Sequence, residues 1–174
     1  MKNYILILLV LCTSCTIESN SGQEKKTHPS HKLNYTEIDR SKLMYLEKDY
    51  VPVYSDIYHV DGSRRFNLSA TVSIRNTSLS DTAYVLTAKY FDSYGNELKN
   101  YLKAPVVLSP LESIEFVVEE SEKSGGAGAN FIIDWGAKKY SNQVLIQSVM
   151  IGTYGQQGIS FLSESKKIDY FFKE

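Results

Sequence analysis

Leu68, Ala70, Val72 and Ile74 alternate with Ser69, Thr71 and Ser73. This period of two places one face of an antiparallel strand in a core and the other in water. Ile114, Phe116 and Val118 repeat the pattern against Glu115, Val117 and Glu119. Runs at 83–92, 97–102, 131–135, 144–151 and 159–162 are rich in β-branched and aromatic residues and predict further strands. Val51 to His59 predicts the first strand, interrupted at Ser55-Asp56. Ser93-Tyr-Gly-Asn96 predicts a hairpin turn, with Gly95 free to take a positive φ. Pro105 and Pro110 bracket an edge strand, because proline donates nothing to a ladder. No helical period lasts beyond a turn or two. The pattern therefore predicts an all-β domain, an immunoglobulin-like antiparallel β-sandwich of about seven to nine strands, with a small barrel or jelly roll as the alternative.

Ahead of these strands the pattern changes. Lys2 is followed by an unbroken apolar run from Ile5 to Leu11, then by Thr13-Ser14 and Cys15. Seven apolar residues fall far short of the roughly 20 that span a bilayer as a helix. A short apolar stretch ending in small residues before a cysteine predicts a bacterial lipoprotein signal at 1–14, with Cys15 as the lipidated residue. Cys12 is the weaker candidate because bulky Leu11 precedes it, whereas small Ser14 precedes Cys15. Residues 16–42 are polar and aperiodic and predict a flexible tether, leaving a β-sandwich domain at 43–170. Thr16, where an Asp would retain the chain at the inner membrane, points to the outer membrane of a bacterial cell envelope.

Composition narrows the partners. The formal net charge is −1, with no basic amphipathic stretch beyond the signal, so nucleic acid is not an expected partner. No cysteine follows Cys15, which rules out an internal disulfide in the domain. Thirteen tyrosines suit exported sheets, where a half-buried ring also reaches water. The expected partners are the membrane, through lipid on Cys15, and a protein or carbohydrate of the envelope; the domain is expected to be monomeric.

Two glycine-rich loops carry the candidate binding residues. In Ser124-Gly125-Gly126-Ala127-Gly128-Ala129-Asn130, glycines can turn successive N–H groups toward one point and form an anion-binding nest. The loop lacks the Lys-Ser/Thr of a phosphate-binding loop and precedes a strand, so the simpler reading is a tight inter-strand connection. Gly155-Gln156-Gln157-Gly158 offers neutral donors and acceptors for a sugar or peptide, or is a hairpin with glycine corners.

Other constellations predict less. Glu119-Glu120-Ser121-Glu122, with Asp56, Asp61 and Asp92 elsewhere, lacks the spacing of a calcium loop and reads as solvated charge. His28 and His31 flank Pro29, which breaks any helix that would align them on a metal. His59-Val60-Asp61 could hold a base and its orienting carboxylate, but no nucleophile elbow or cysteine accompanies it. No metal ligands, cofactor or catalytic residues are assigned, and Trp135 is expected in the core. The expected role is a non-catalytic binding or envelope-assembly module; the alternative is a small periplasmic hydrolase or metal-dependent enzyme.

Four stretches together carry a resemblance: Tyr50 to His59, Phe66 to Thr77, Ser124 to Phe131, and Met150 to Phe161. They resemble an uncharacterised family of bacterial exported proteins defined only as a domain of unknown function. The resemblance implies an exported single domain over about residues 45–163 and assigns no chemistry to any residue.

Overall fold

The computed structural model describes residues 32–140 and 143–173; the expected signal, Cys15, His28 and His31 lie outside the described residues. The strands are β1 (Tyr45–Pro52), β2 (Asp56–His59), β3 (Asp61–Asn67), β4 (Ser69–Asn76), β5 (Ala83–Phe91), β6 (Glu97–Asn100), β7 (Val106–Leu108), β8 (Ser113–Val118), β9 (Asn130–Ala137), β10 (Val144–Tyr154), β11 (Gln157–Glu164) and β12 (Lys166–Phe172). One antiparallel sheet runs β12-β1-β9-β5-β6, with β7 also on β5; the second runs β11-β10-β4-β8; β2 and β3 form a separate ribbon. The result is an open two-sheet sandwich, as the alternation predicts.

The core forms where the inward positions of the two sheets meet. Ala70, Val72 and Ile74 of β4, Ile114, Phe116 and Val118 of β8, and Ile146 and Met150 of β10 pack in one cluster with Val51, Tyr90, Phe131, Ile133 and Trp135 of the first sheet. β5 is buried on both faces. Alternation turns Tyr84 and Leu86 outward, where they join Leu43 in a second cluster with Ile38 packed against it. A register shift between Val85 and Thr87 returns Ala88 and Tyr90 to the main core. Residues 33–42, read from the sequence as tether, thus lie along the sandwich, and Tyr35 bridges Val106.

Among the described residues there are twelve strands, more than the seven to nine expected. The additions have two causes. In β1 Glu47 and Asp49 share the inward face with Tyr45 and Val51, so the apolar alternation is masked by carboxylates. β3 and β12 are exposed along almost all their length and show no alternation to read.

The register defines two ends. At one, here called the base, Ala83, Ala137, Tyr45 and Phe172 lie in one row across the first sheet, and Asn76 and Val144 pair in the second. At the other, the tip, Phe91, Asn130 and Pro52 lie in one row, and Ser69 pairs with Ile151. The β5–β6 turn, both glycine-rich loops, the β2–β3 ribbon and the acidic run all fall at the tip.

Candidate functional site

The first glycine-rich loop is bonded to its neighbours at the tip. The Gly126 N–H donates to Ser55 Oγ at 2.7 Å, and the Gly128 N–H donates to Ser93 Oγ at 2.8 Å. Ser93 returns bonds from its hydroxyl and its N–H to the Gly125 carbonyl, each at 2.9 Å. The N–H groups that would make an anion nest are therefore occupied by two serine hydroxyls. Gly126 holds φ +81°, a region costly for other residues. A side chain at position 125 would collide with the Tyr90 hydroxyl. Ser124 bonds Glu122 through both its N–H and its hydroxyl, and these bonds hold the Glu122 carboxyl below its usual range. Asn130 opens β9 opposite Pro52.

The second loop takes part in a cleft. Tyr154 pairs with Gln157 across a two-residue turn, in which Gly155 takes φ +60° at the first central position, as a type II′ hairpin requires. Ile57, His59 and Phe66 of the β2–β3 ribbon face Tyr154, Gln157, Gly158 and Ile159 across a cavity of about 250 Å³. Three rings line it: His59 to Phe66 at 6.3 Å between centroids, His59 to Tyr154 at 6.2 Å, and Phe66 to Tyr154 at 6.4 Å. Gly152 permits this close approach, since a Cβ there would press on the Phe66 ring and Leu68. The cleft brings together His59, Gln157 and Gly158; Gly155 and Gln156 cap the hairpin beside it.

The two glycine-rich loops do not share one site, because the β2–β3 ribbon stands between them. Alternation puts Ile57 and His59 on the cleft side and Asp56 and Tyr58 on the other. On that other side Arg65 bonds Asp56 at 2.8 Å through Nε, lies 5.1 Å from the Tyr58 ring centroid, and borders Gly126. Asp61 does not orient His59: it accepts from the N–H and hydroxyl of Ser63 at 2.9 and 2.6 Å. Asp92 caps its own turn through the Tyr94 and Asn96 N–H groups, both at 2.8 Å, and bonds to Asn96 hold its carboxyl below the usual range. Among the described residues no group of three or more His, Cys, Asp or Glu side chains is placed to hold a metal.

A second cavity, of about 370 Å³, opens toward the base between Tyr45, Glu47, Trp135, Tyr140, Gln143, Val144 and Lys167. Behind it lies buried Asp49, which accepts from the Trp135 indole N–H and from the Ser165 hydroxyl, both at 2.9 Å. Burial pushes the Asp49 carboxyl above its usual range, and the nearby Glu47 carboxylate adds to this against the two hydrogen bonds. Lys167 pairs with Glu47 at 2.8 Å and donates to Tyr45 Oη at 3.0 Å. Those two bonds raise the Lys167 ammonium further above its usual range. The sequence reading missed this cluster, although the signal exists: Tyr45, Glu47, Asp49 and Val51 fall on one face at period two, so two carboxylates share the side of a core residue.

The comparisons with known proteins add a family. Residues 46–168 match the family described as Protein of unknown function (DUF3124). No curated protein matches the chain. A crystal structure from Thermotoga maritima, that of its protein 1070, is similar over 69% of this chain and 92% of its own, at 13% identity and a TM-score of 0.41; a likeness of that size carries no argument about function.

Proposed function

This chain belongs to the DUF3124 family of proteins of unknown function, and from its geometry we propose that it is a non-catalytic binding module of the bacterial cell envelope, anchored through lipid on Cys15 and holding an uncharged partner at its tip. One observation carries the reading. Three aromatic rings, two aliphatic side chains and a single primary amide converge on one cleft from two different hairpins. Rings with few polar groups suit the apolar face of a sugar or the side chain of a peptide, and the Gln157 amide offers both a donor and an acceptor for orientation. The contrast with the first glycine-rich loop supports the choice of cleft, because its N–H groups are already engaged.

The catalytic alternative finds less support. Among the described residues two cavities gather ionisable groups. At the base Glu47 and Lys167 pair with each other, with Asp49 behind them 3% exposed and bonded to Trp135 and Ser165. In the second, Arg40, Lys48, Asp134 and Asp169 lie on the outer face of the first sheet, where Lys48 pairs with Asp134. The test is a titration of the chain with neutral oligosaccharides and with uncharged peptides, followed by NMR. Resonances of His59, Tyr154 and Gln157 should shift together, and Tyr154→Ala should abolish the shifts. Binding with those resonances unmoved sinks the assignment of the cleft. Fatty-acid labelling that survives Cys15→Ala sinks the assignment of the anchor.

A further inference from the structure

We infer that the base of the sandwich is a bilayer-docking surface for anionic phospholipid, which seats the domain on the membrane and turns the tip cleft away from it. Three large apolar side chains project there: Met44, 39% exposed, Phe172, 46%, and Tyr140, 65%. Tyr140 and Phe172 are held together: Tyr140 stacks edge-on against Phe172 at 4.7 Å and against Tyr45 at 5.5 Å. A backbone bond from the Lys173 N–H to the Met44 carbonyl at 2.9 Å ties the two strand ends. A rigid apolar group left exposed by the described residues marks an interaction surface.

The charge around this group selects the partner. Lys42, Lys138 and Lys173 lie beside it in the chain, and Asp39 is the carboxylate whose charge Lys42 and Lys173 help to stabilise. Lys138 lies over the Tyr84 ring at 5.6 Å, and Lys173 Nζ bonds the Ser41 carbonyl at 3.2 Å. Of the nearby acids, Asp81 is paired with Lys139 at 2.6 Å, and Asp39 caps the Ser41 N–H at 2.9 Å. Tyrosine and lysine around protruding apolar side chains are the composition of a protein surface at the headgroup boundary, where long cationic stems reach back to phosphate. An anionic leaflet attracts such lysines. The acidic run Glu119-Glu120-Ser121-Glu122 sits at the opposite end of the molecule.

The path of the chain points the same way. Tyr35 pairs antiparallel with Val106, flanked by bonds from Val107 N–H to Asn34 and from Thr36 N–H to Pro105. That register places Leu33 beside Leu108, which pairs with Ala83 in the base row. The described chain therefore begins at the base. The geometric argument rests on the anchoring part of the proposed function, whereas the aromatic and basic surface stands without it.

The test uses the full chain in vesicles of phosphatidylglycerol and phosphatidylethanolamine, with a tryptophan reporter at each end: Phe172→Trp at the base and Tyr94→Trp at the tip. Buried Trp135 gives the constant background. In anionic vesicles the base reporter should shift to the blue and be quenched by brominated lipid, while the tip reporter does neither. Lys42→Gln, Lys138→Gln and Lys173→Gln together should weaken docking by on the order of a hundredfold, from the attraction of each lysine to an anionic surface, and pure phosphatidylcholine should abolish it. Base and tip reporters equally unquenched, or equally quenched, would overturn the inference, as would docking that ignores lipid charge. The same reporters, with fatty-acid labelling of Cys15→Ala, separate the two claims. Fatty-acid label retained by Cys15→Ala sinks the anchor alone, and a parent chain that is acylated yet unquenched at the base sinks the docking surface alone.

Discussion

At the tip of the sandwich, aromatic side chains line a recess and the glycine-rich loop beside it is held by Ser55 and Ser93. At the base, aromatic and methionine side chains are exposed, with Lys42, Lys138 and Lys173 beside them in the chain. Both ends terminate the same strands, and both carry exposed rings. The difference is in what each leaves unsatisfied. Backbone groups at the tip are consumed within the protein, so what remains is a shaped apolar cavity with one amide, suited to a small neutral feature. The base leaves cations and exposed apolar side chains, suited to a broad anionic surface. Exposed aromatic residues alone do not identify a partner; curvature and the charge around them do.

The comparison can be broken most severely from beneath the base cavity. Trp135→Ala removes a fully packed ring and leaves buried Asp49 with one donor fewer. It should cost about 3–5 kcal/mol, read as a lowered urea midpoint, and should disturb the base reporter more than the tip cleft. An unchanged midpoint would show that the base does not depend on this ring. Next in size, Gly125→Ala drives a methyl into the Tyr90 hydroxyl and should cost about 1–3 kcal/mol while leaving vesicle docking intact. A cost near zero would mean that the loop is looser than its bonds to Ser93 imply.

Smaller effects sharpen the contrast. Ser55→Ala removes the acceptor of the Gly126 N–H and should cost about 1 kcal/mol in urea unfolding; no change would reopen that N–H as a ligand contact. Asp49 supplies a pH signature specific to the base. Its carboxyl is raised in the folded state, so its contribution to stability is fully present below the ordinary carboxylate value and is lost as pH rises through the folded one. Asp49→Asn keeps an acceptor for Trp135 and removes the charge. Measured against the parent by urea unfolding from pH 3 to pH 7, its relative stability should rise with pH. A difference that stays flat, or that falls, would refute the burial argument. Smallest of all, Tyr154→Ala should shift stability by no more than about 1 kcal/mol while removing ligand contact at the tip; loss of folding instead would make the ring structural.

Much of the sandwich was legible because its core strands obey period two without interruption. β4 and β8 were readable residue by residue, and the positive φ of Gly95 at +86° followed from the turn it occupies. β1 was not, because Glu47 and Asp49 occupy inward positions, and a lysine, an indole and a serine hydroxyl distant in the chain make that tolerable. β12 was not, because the described residues leave it exposed along its length and so impose no alternation on it. Of the candidate site, Gln157 and Gly158 were named from composition and do line the cleft, whereas Phe66 and Ile57 were not singled out. His59 was weighed as a base beside Asp61, yet its ring faces Phe66 and Tyr154.

The sequence by itself determined the class of the fold, the lack of a disulfide after Cys15, the family, and the local chemistry each loop could offer. Those are properties of short windows, in which side-chain spacing and backbone freedom act without reference to the rest of the chain. Tertiary structure alone decided which of those offers remain open. It spent the N–H groups of Gly126 and Gly128 on two serines, set the β2–β3 ribbon between the glycine-rich loops, and gathered Met44, Tyr140 and Phe172 from three parts of the chain onto one end. Hydrogen-bond satisfaction and surface curvature arise from contacts between residues tens of positions apart, and no local pattern encodes them.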